Sequence, residues 1–302
     1  MRAIIDLGTN TFHLLIVNDS NEAISKTSIA AKLGMGGIQQ GIITPEGTQR
    51  GINVLKEFRN IIDQYAIPEN RIFAFGTSAL RSASNRNEVI EAFKKEVNIN
   101  VEVISGDREA ELIYKGVSQA LKVEKNSVIV DIGGGSVEFI ICNAKGLLWK
   151  QSFEIGGQRL MDMFFPTDPI PNSSVSKMDD YFREKLLPLA NACHQYSPEV
   201  LIGSSGSFDT LNNIYHFETT GKGTPENKVG FDYPLEAFIK AYEQFLTKKR
   251  AERMAIPGMV ELRVDMIVVA SCLIRYLIQN FNLREIKISK YAMKEGILAV
   301  TQ

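Results

Sequence analysis

Short apolar runs along this chain end again and again at small polar or acidic residues. Ala3 to Ile5 stops at Asp6, Val128 to Val130 reaches Asp131 and Val200 to Ile202 stops at Gly203. Runs this short, β-branched and bounded by turn residues, read as strands. Between them the period changes. Ile52, Leu55, Phe58, Ile62 and Tyr65 recur at spacings of three and four after Pro45, which predicts an amphipathic helix with proline in its first turn. Further helices are expected at about 87–97, 107–121, 157–164 and 173–196, strands at 72–75, 101–104 and 286–288, and a buried helix over Met266 to Ile274. GTSALRSASN and GSSGS read as loops from their small polar residues, FPTDPIPNSS and TTGKGTPENKVG from their proline and glycine. The alternation is that of an α/β protein.

The strand pattern also repeats. DLGTNTFHLLI, from Asp6, and DIGGGSVEFII, from Asp131, match at an offset of 125 residues. In each, an apolar strand ends at an aspartate, a glycine follows two residues later (Gly8, Gly133), and small polar residues lead into a second apolar strand. Each copy then turns, at 18–21 and 143–146, into a third strand-like run, so each half opens as a meander.

Two such halves related by pseudo-twofold symmetry place their loops face to face across a cleft. Backbone N–H groups of a glycine-rich turn can converge on phosphate oxygens, and the paired aspartates can hold a hydrated magnesium ion. Neither loop carries the pattern of a P-loop or a dinucleotide site. Singly, each also reads as a tight hairpin turn with aspartate as a turn residue; the duplication is what favours phosphate. Three more loops, GTSALR, SGDREAEL and GSSGS, follow strands and would surround the same cleft. Arg81 is a candidate phosphate clamp, though a surface arginine pairing with an acid is an equal reading. Asp107, Glu109 and Glu111 open a helix, where acids are common for the dipole alone. Glu109 and Glu138 qualify by location to orient an attacking water.

Composition removes several other classes. With 302 residues, 44% apolar and 23% charged, the chain is long enough for about two domains. Its formal charge of -1 gives no overall basic character, so no nucleic-acid partner is expected. No run approaches the roughly 20 apolar residues of a membrane span, and the start has no secretory pattern, so a cytoplasmic location is expected. Cys142, Cys193 and Cys272 are isolated, as are His13, His194 and His216, and none suggests a disulfide or zinc site.

Taken together, DLGTNTFHLLI, KLGMGGIQQGIITPEGTQRG, GTSALRSASN, ISGDREAELIYKGV, DIGGGSVEFI, GSSGSFDTL and ISKYAMKEGIL resemble, in order, the blocks of the exopolyphosphatase and guanosine pentaphosphate phosphatase (Ppx/GppA) family of the actin, hexokinase and Hsp70 superfamily. The resemblance spans about residue 3 to residue 300. It implies two ribonuclease-H-like α/β domains, at 1–122 and 123–302, with mixed sheets flanked by helices and an active site in the cleft between them. The final helix would pack back toward the first domain. It also implies Mg²⁺, or another divalent ion, and removal of a terminal phosphate from inorganic polyphosphate or guanosine pentaphosphate.

Carried over by position, the resemblance makes Glu109 the catalytic base, with Glu138 and Arg81 beside it. Gly8, Thr9, Asn10, Arg81, Gly133, Gly134, Gly135 and Ser136 would bind phosphate; Asp6, Asp131 and Glu138 would hold metal. Some positions depart from the pattern. Arg108 stands where the strongest forms carry a second acid, Ser207 replaces a threonine, and Lys290 and Ala292 replace an acid and a small residue. Nothing follows Gln302, whereas long members continue into a helical domain, so a processive grip on long chains is not expected. An ATP-dependent kinase of the same superfamily and an alarmone-binding protein are the competing readings, and a homodimer is compatible with all three.

Overall fold

The structure, a computed structural model, describes residues 1–300. The first half runs β1 (Arg2–Leu7), β2 (Thr11–Val17), β3 (Ala23–Ala30), α1 (Pro45–Gln64), β4 (Ile72–Gly76), α2 (Ser78–Ser82), α3 (Arg86–Val97), β5 (Val101–Val103) and α4 (Gly106–Ala120). The second runs β6 (Ser127–Ile132), β7 (Val137–Asn143), β8 (Gly146–Phe153), α5 (Gly157–Phe164), α6 (Asn172–Lys185), α7 (Leu187–Tyr196), β9 (Val200–Ser204), α8 (Ser205–Thr220), β10 (Gly230–Tyr233), α9 (Leu235–Thr247), α10 (Arg250–Met254), α11 (Met266–Asn280), β11 (Glu285–Ser289) and α12 (Met293–Val300).

Each half builds one mixed sheet, in the orders β3-β2-β1-β4-β5 and β10-β11-β9-β6-β7-β8. In both, the opening meander is antiparallel and the next strand, β4 or β9, lies parallel to the first. This is the two-domain, ribonuclease-H-like α/β architecture expected. The repeat is kept to the residue: Arg2 to Leu7 pairs with Val17 to Phe12, and Ser127 to Ile132 pairs with Cys142 to Val137. Even the irregularity recurs, between Ile16 and Val17 in one meander and between Ile141 and Cys142 in the other.

The central strands are apolar on both faces because both faces are covered. Ala3, Ile5 and Leu7 face the core under α1 and α3, while Val128, Val130 and Ile132 face the core of the second half. The alternate residues Ile4 and Ile129 turn to a third core with Ile113 and Val117 of α4 and Met293 and Ile297 of α12. The two helices cross where Gly116 meets the Ala292 carbonyl and Gly296 meets the Leu112 carbonyl.

Four sequence expectations need correction. The single helix expected over 173–196 is two, α6 and α7, broken at Leu186 because Pro188 cannot continue a helix interior. GTSALR is not a loop: Ser78–Ser82 form the short helix α2. GSSGS is not a loop either, since β9 runs to Ser204 and α8 starts at Ser205. Glycine-rich TTGKGTPENKVG ends in an unforeseen strand, β10, at the sheet edge.

The helix crossing gives a stability prediction. A Cβ on Gly296 would lie 1.8 Å from the Leu112 carbonyl oxygen, and one on Gly116 would lie 1.9 Å from that of Ala292. Backbone atoms cannot step aside, so Gly296→Ala should cost about 1–3 kcal/mol by forcing α4 and α12 apart. Gly116→Ala on top should cost less than it does alone, because the helices have already separated. A urea midpoint unchanged in Gly296→Ala would refute the crossing geometry.

Candidate active site

Strand register decides which side chains reach the cleft. Asp6 pairs with His13 across β1 and β2, and Asp131 with Glu138 across β6 and β7. The third strand of each meander then supplies a hydroxyl: Ser28 Oγ lies 2.7 Å from His13 Nδ1, and Ser152 Oγ donates to Glu138 Oε1 at 2.6 Å. The two halves thus carry the same frame with different chemistry at one position, a histidine in the first and a carboxylate in the second.

Both loops are held by their carbonyls. In the second, the carbonyls of Gly133, Gly134 and Gly135 accept from the N–H groups of Gly157, Gln158 and Gly156 at 2.9, 2.8 and 3.2 Å. Gly156 must lack a side chain, since a Cβ there would fall 2.5 Å from the backbone of Gly134. In the first loop, Thr9 O accepts from Gly34, and Asn10 O from Ala31 and Lys32. With these carbonyls engaged, and with the Gly133 N–H donating within its own turn to the Ser136 carbonyl at 3.1 Å, the other N–H groups of the turns are those left to bind an anion. The loops touch: a Cβ on Gly135 would lie 2.4 Å from Thr9 Oγ1 and 2.6 Å from Ser78 Oγ, so the two halves meet at the loops.

The cavity that remains is about 140 Å³. Asp6, Gly8, Thr9, Asn10, Glu109, Asp131, Gly133, Gly134, Gly135, Ser136 and Glu138 all line it. Arg81 is the exception among the residues singled out in the sequence. It closes the end behind Glu109, where its Nη1 donates to Glu109 Oε2 at 2.7 Å and its Nη2 lies 3.4 Å from Ser136 Oγ and Ser152 Oγ. Glu154 and Glu138 stand 3.7 and 4.0 Å from the same guanidinium. Glu109 reaches this place from the first turn of α4, whose N-terminus is capped by Ser105 accepting from Arg108 N at 3.2 Å.

Several cavity residues escaped the sequence reading. Arg263 lies so close over Gly206 that a Cβ there would fall 2.3 Å from its Nε. Lys290 and Lys294 line the same side, where sequence reasoning attached no function to Lys290. Ser205 holds Asp131: its Oγ donates at 2.7 and 2.6 Å to the two carboxylate oxygens, with Ser204 Oγ adding a third bond at 2.7 Å. Ser205 does so from a left-handed φ of 69°, a strained position for a residue with a side chain. The doubled serine at the junction of β9 and α8 was the available signal; for Arg263, in the stretch between α10 and α11, the sequence offered none.

Carboxylates so confined become reluctant to ionise. Burial, then the neighbouring Asp131 and Glu295 charges, push Asp6 up to about 7 despite the pull of Lys294. Burial and Asp131 push Glu138 up to about 7, although Ser152, Ser136 and Arg81 oppose this. Burial and the Glu138 charge raise Glu109 well above the usual carboxylate range, with Arg81 restraining the rise. Burial raises Asp131 too, against its serine hydrogen bonds. Burial holds His13 well below its ordinary value, helped by Lys294 and Arg263, so it faces the cavity neutral.

This donor set suits a hydrated hard cation. Asp6 and Asp131 end equivalent strands and face one cavity, but no group of three His, Cys, Asp or Glu side chains among the described residues forms a cage. Magnesium keeps several waters and takes one or two carboxylates plus substrate phosphates, which is what two lone aspartates beside anion-binding loops can offer.

A two-lobed α/β protein with twin carbonyl-stapled loops around a carboxylate-lined cavity is a phosphate-handling architecture. The chain belongs to the Ppx/GppA phosphatase family, whose model matches residues 15–301. An exopolyphosphatase from Cytophaga hutchinsonii is 47% identical, with a TM-score of 0.92 over 99% of this chain and 96% of that one. The Aquifex aeolicus family member is 25% identical with a TM-score of 0.78, covering 99% of this chain and 96% of its own. A bifunctional 3-dehydroquinate synthase/phosphatase of Fusobacterium nucleatum is 36% identical over 202 residues, 63% of this chain; the match spans only 30% of that protein's length. The enzyme class expected from the sequence, a hydrolase of phosphoanhydrides, stands with the family. No helix among the described residues is long and apolar enough to cross a membrane.

The raised carboxyl values carry a sign for stability. An acid whose folded pKa lies above its unfolded value binds its proton more tightly when folded, so the stability it contributes is complete below the unfolded pKa. For Asp6 and Glu138 those unfolded values are 3.8 and 4.5, and the contribution is lost as pH rises through about 7. The metal-free protein should therefore melt at a lower temperature at about pH 8 than at about pH 5, with saturating Mg²⁺ recovering part of the loss at the higher pH. A melting temperature that rises over this interval without divalent ions would contradict the confinement.

Proposed function

We propose that this protein is a magnesium-dependent exopolyphosphatase that hydrolyses the terminal phosphoanhydride bond of inorganic polyphosphate. One observation carries the reading: Glu109, buried at the end of the cavity and raised in pKa, is held at 2.7 Å by Arg81, the residue that would also hold the departing phosphate. In the resting site the base and the clamp occupy each other.

Binding would separate them. A terminal phosphate entering between the two loops offers Arg81 two oxygens in place of one carboxylate, and the guanidinium fork suits that exchange. Glu109 then loses the cation that restrained its basicity. A water beside it attacks phosphorus, its proton passes to Glu109, and the bond from phosphorus to the bridging oxygen breaks, leaving the electron pair on the shortened chain. Protonation of that oxygen and release of orthophosphate complete the turnover. The loop N–H groups stabilise negative charge on the transferred group. Glu138, fixed by two hydroxyls on Oε1 at 2.7 and 2.6 Å, presents its second oxygen to the water or to the metal's hydration shell. Asp6 and Asp131 would hold Mg²⁺, whose contribution is neutralisation of phosphate oxygens.

Short chains suit this site better than long ones, because the cavity is small and the chain has no net positive charge to grip a long polyanion. Guanosine pentaphosphate offers the same terminal group and is the alternative substrate.

Two measurements test the proposal. Glu109→Gln should lower turnover by about 10² to 10⁴ while leaving substrate affinity within a few-fold of wild type. Release of phosphate by that variant at the wild-type rate would remove Glu109 from the base role. In a Mg²⁺-dependent phosphate-release panel, short polyphosphate should be hydrolysed fastest, ahead of long polyphosphate, guanosine pentaphosphate and ATP. A panel led by guanosine pentaphosphate would replace the substrate, and one led by ATP would replace the reading itself.

A further inference from the structure

Arg81 has a second anion within reach, and a second arginine holds that anion back. Glu154, just beyond β8, places Oε1 3.7 Å from Arg81 Nη2, while its Oε2 accepts from Arg159 Nη2 at 2.5 Å and from Ser78 Oγ at 3.3 Å. Arg159, on α5, is itself fixed. Its Nε donates to the Gly135 carbonyl at 2.9 Å, its Nη1 to the Ile38 carbonyl at 3.0 Å and its Nη2 to Ser82 Oγ at 3.3 Å. Ile38 and Ser82 belong to the first half, Gly135 to the second phosphate loop. The guanidinium therefore bridges the cleft, and its backbone carbonyl is bound across it by Gln39 Nε2 at 3.2 Å.

We infer that Arg159 is a positioning residue that draws the Glu154 carboxylate off Arg81, leaving Arg81 free to exchange between Glu109 and phosphate. The inference rests on the proposed role of Arg81 as the phosphate clamp. Three carboxylates, Glu109, Glu138 and Glu154, lie within 4.0 Å of Arg81. Glu138 is satisfied by Ser136 and Ser152, and Glu109 must release Arg81 for chemistry. Glu154 alone has no part in the reaction and is half-exposed, so it can follow Arg81 when the guanidinium moves. A charge-assisted bond to a fixed arginine holds it instead. Without Arg159, Glu154 keeps only the Ser78 hydroxyl and Arg81, and an incoming phosphate must compete with it for the clamp.

The test is a double-mutant cycle read by two methods: kcat and KM on short polyphosphate, and the affinity for inorganic phosphate by calorimetry. Arg159→Ala should weaken phosphate binding and raise KM by roughly 10-fold, with a smaller change in kcat. Adding Glu154→Ala should restore most of the lost affinity, since the competitor is gone. If Arg159 served only to pin the loop to Ile38 and Ser82, the double variant would bind no better than Arg159→Ala, and that result overturns the inference. Should Arg159→Ala not fold, Arg159→Lys takes its place, because an ammonium cannot make all four bonds, and recovery on adding Glu154→Ala is again required. A wild-type protein that binds inorganic phosphate but hydrolyses no polyphosphate would fail the proposed function alone, and the binding cycle would still decide Arg159. A wild-type protein that does not bind phosphate would overturn both.

Discussion

The confinement of five carboxylates in one cavity is the condition to which the rest of this structure answers. Asp6, Asp131, Glu138, Glu109 and, from α8, Asp209 come from five different elements and share about 140 Å³. Isolated buried charges of one sign are costly, and proteins meet the cost by pairing, hydrogen bonding or protonation. All three occur here. Arg81 pairs with Glu109, serine hydroxyls hold Asp131 and Glu138, and burial still raises all of them, as it raises Asp6, towards the protonated form. A site in this state favours whatever brings positive charge to the acids, and the loops between them favour whatever brings negative charge to the amides. A metal–phosphate pair satisfies both demands together.

The scaffold was legible in the sequence because the repeat is a matter of register. Once Asp6 and Asp131 are aligned, strand pairing places His13 and Glu138 at equivalent positions, and the pattern of apolar runs predicts both meanders. What could not be read was of two kinds. Ser78–Ser82 and the start of α8 are helices opened by serine and glycine, which favour turns and caps locally and so read as loops. Arg263, Arg159 and Gly156 reach the site from segments distant in sequence, and their chemistry is defined by what lies opposite them. Gly156 reads as ordinary turn material until the backbone of Gly134 is seen to lie against it.

Symmetry of frame with asymmetry of charge gives the cavity a direction. Lys294 acts on Asp6 and, with Arg263, on Asp131 and His13, whereas Arg81 acts on Glu109 and Glu138. The duplicated position that is a neutral histidine on one side is a carboxylate on the other. Under the proposed function, the terminal phosphate belongs at the end with two acids and one mobile arginine, where a water can be deprotonated. The remaining chain belongs toward Arg263, Lys290 and Lys294, three cations that surround the buried Asp209 and restrain the rise that burial gives it.

That polarity also bears on the contact between the loops. Phosphoryl transfer to water asks little of covalent chemistry and much of positioning and exclusion of solvent. Loops that meet through Gly134, Gly135, Thr9 and Ser78 narrow the cleft beside the cavity. The α4–α12 crossing, where backbone meets backbone at Gly116 and Gly296, is the rigid part of the contact between the halves; the loop contact, made by side-chain hydroxyls and amides and the hydrogen bonds of Arg81 and Arg159, is the part that can part and re-form.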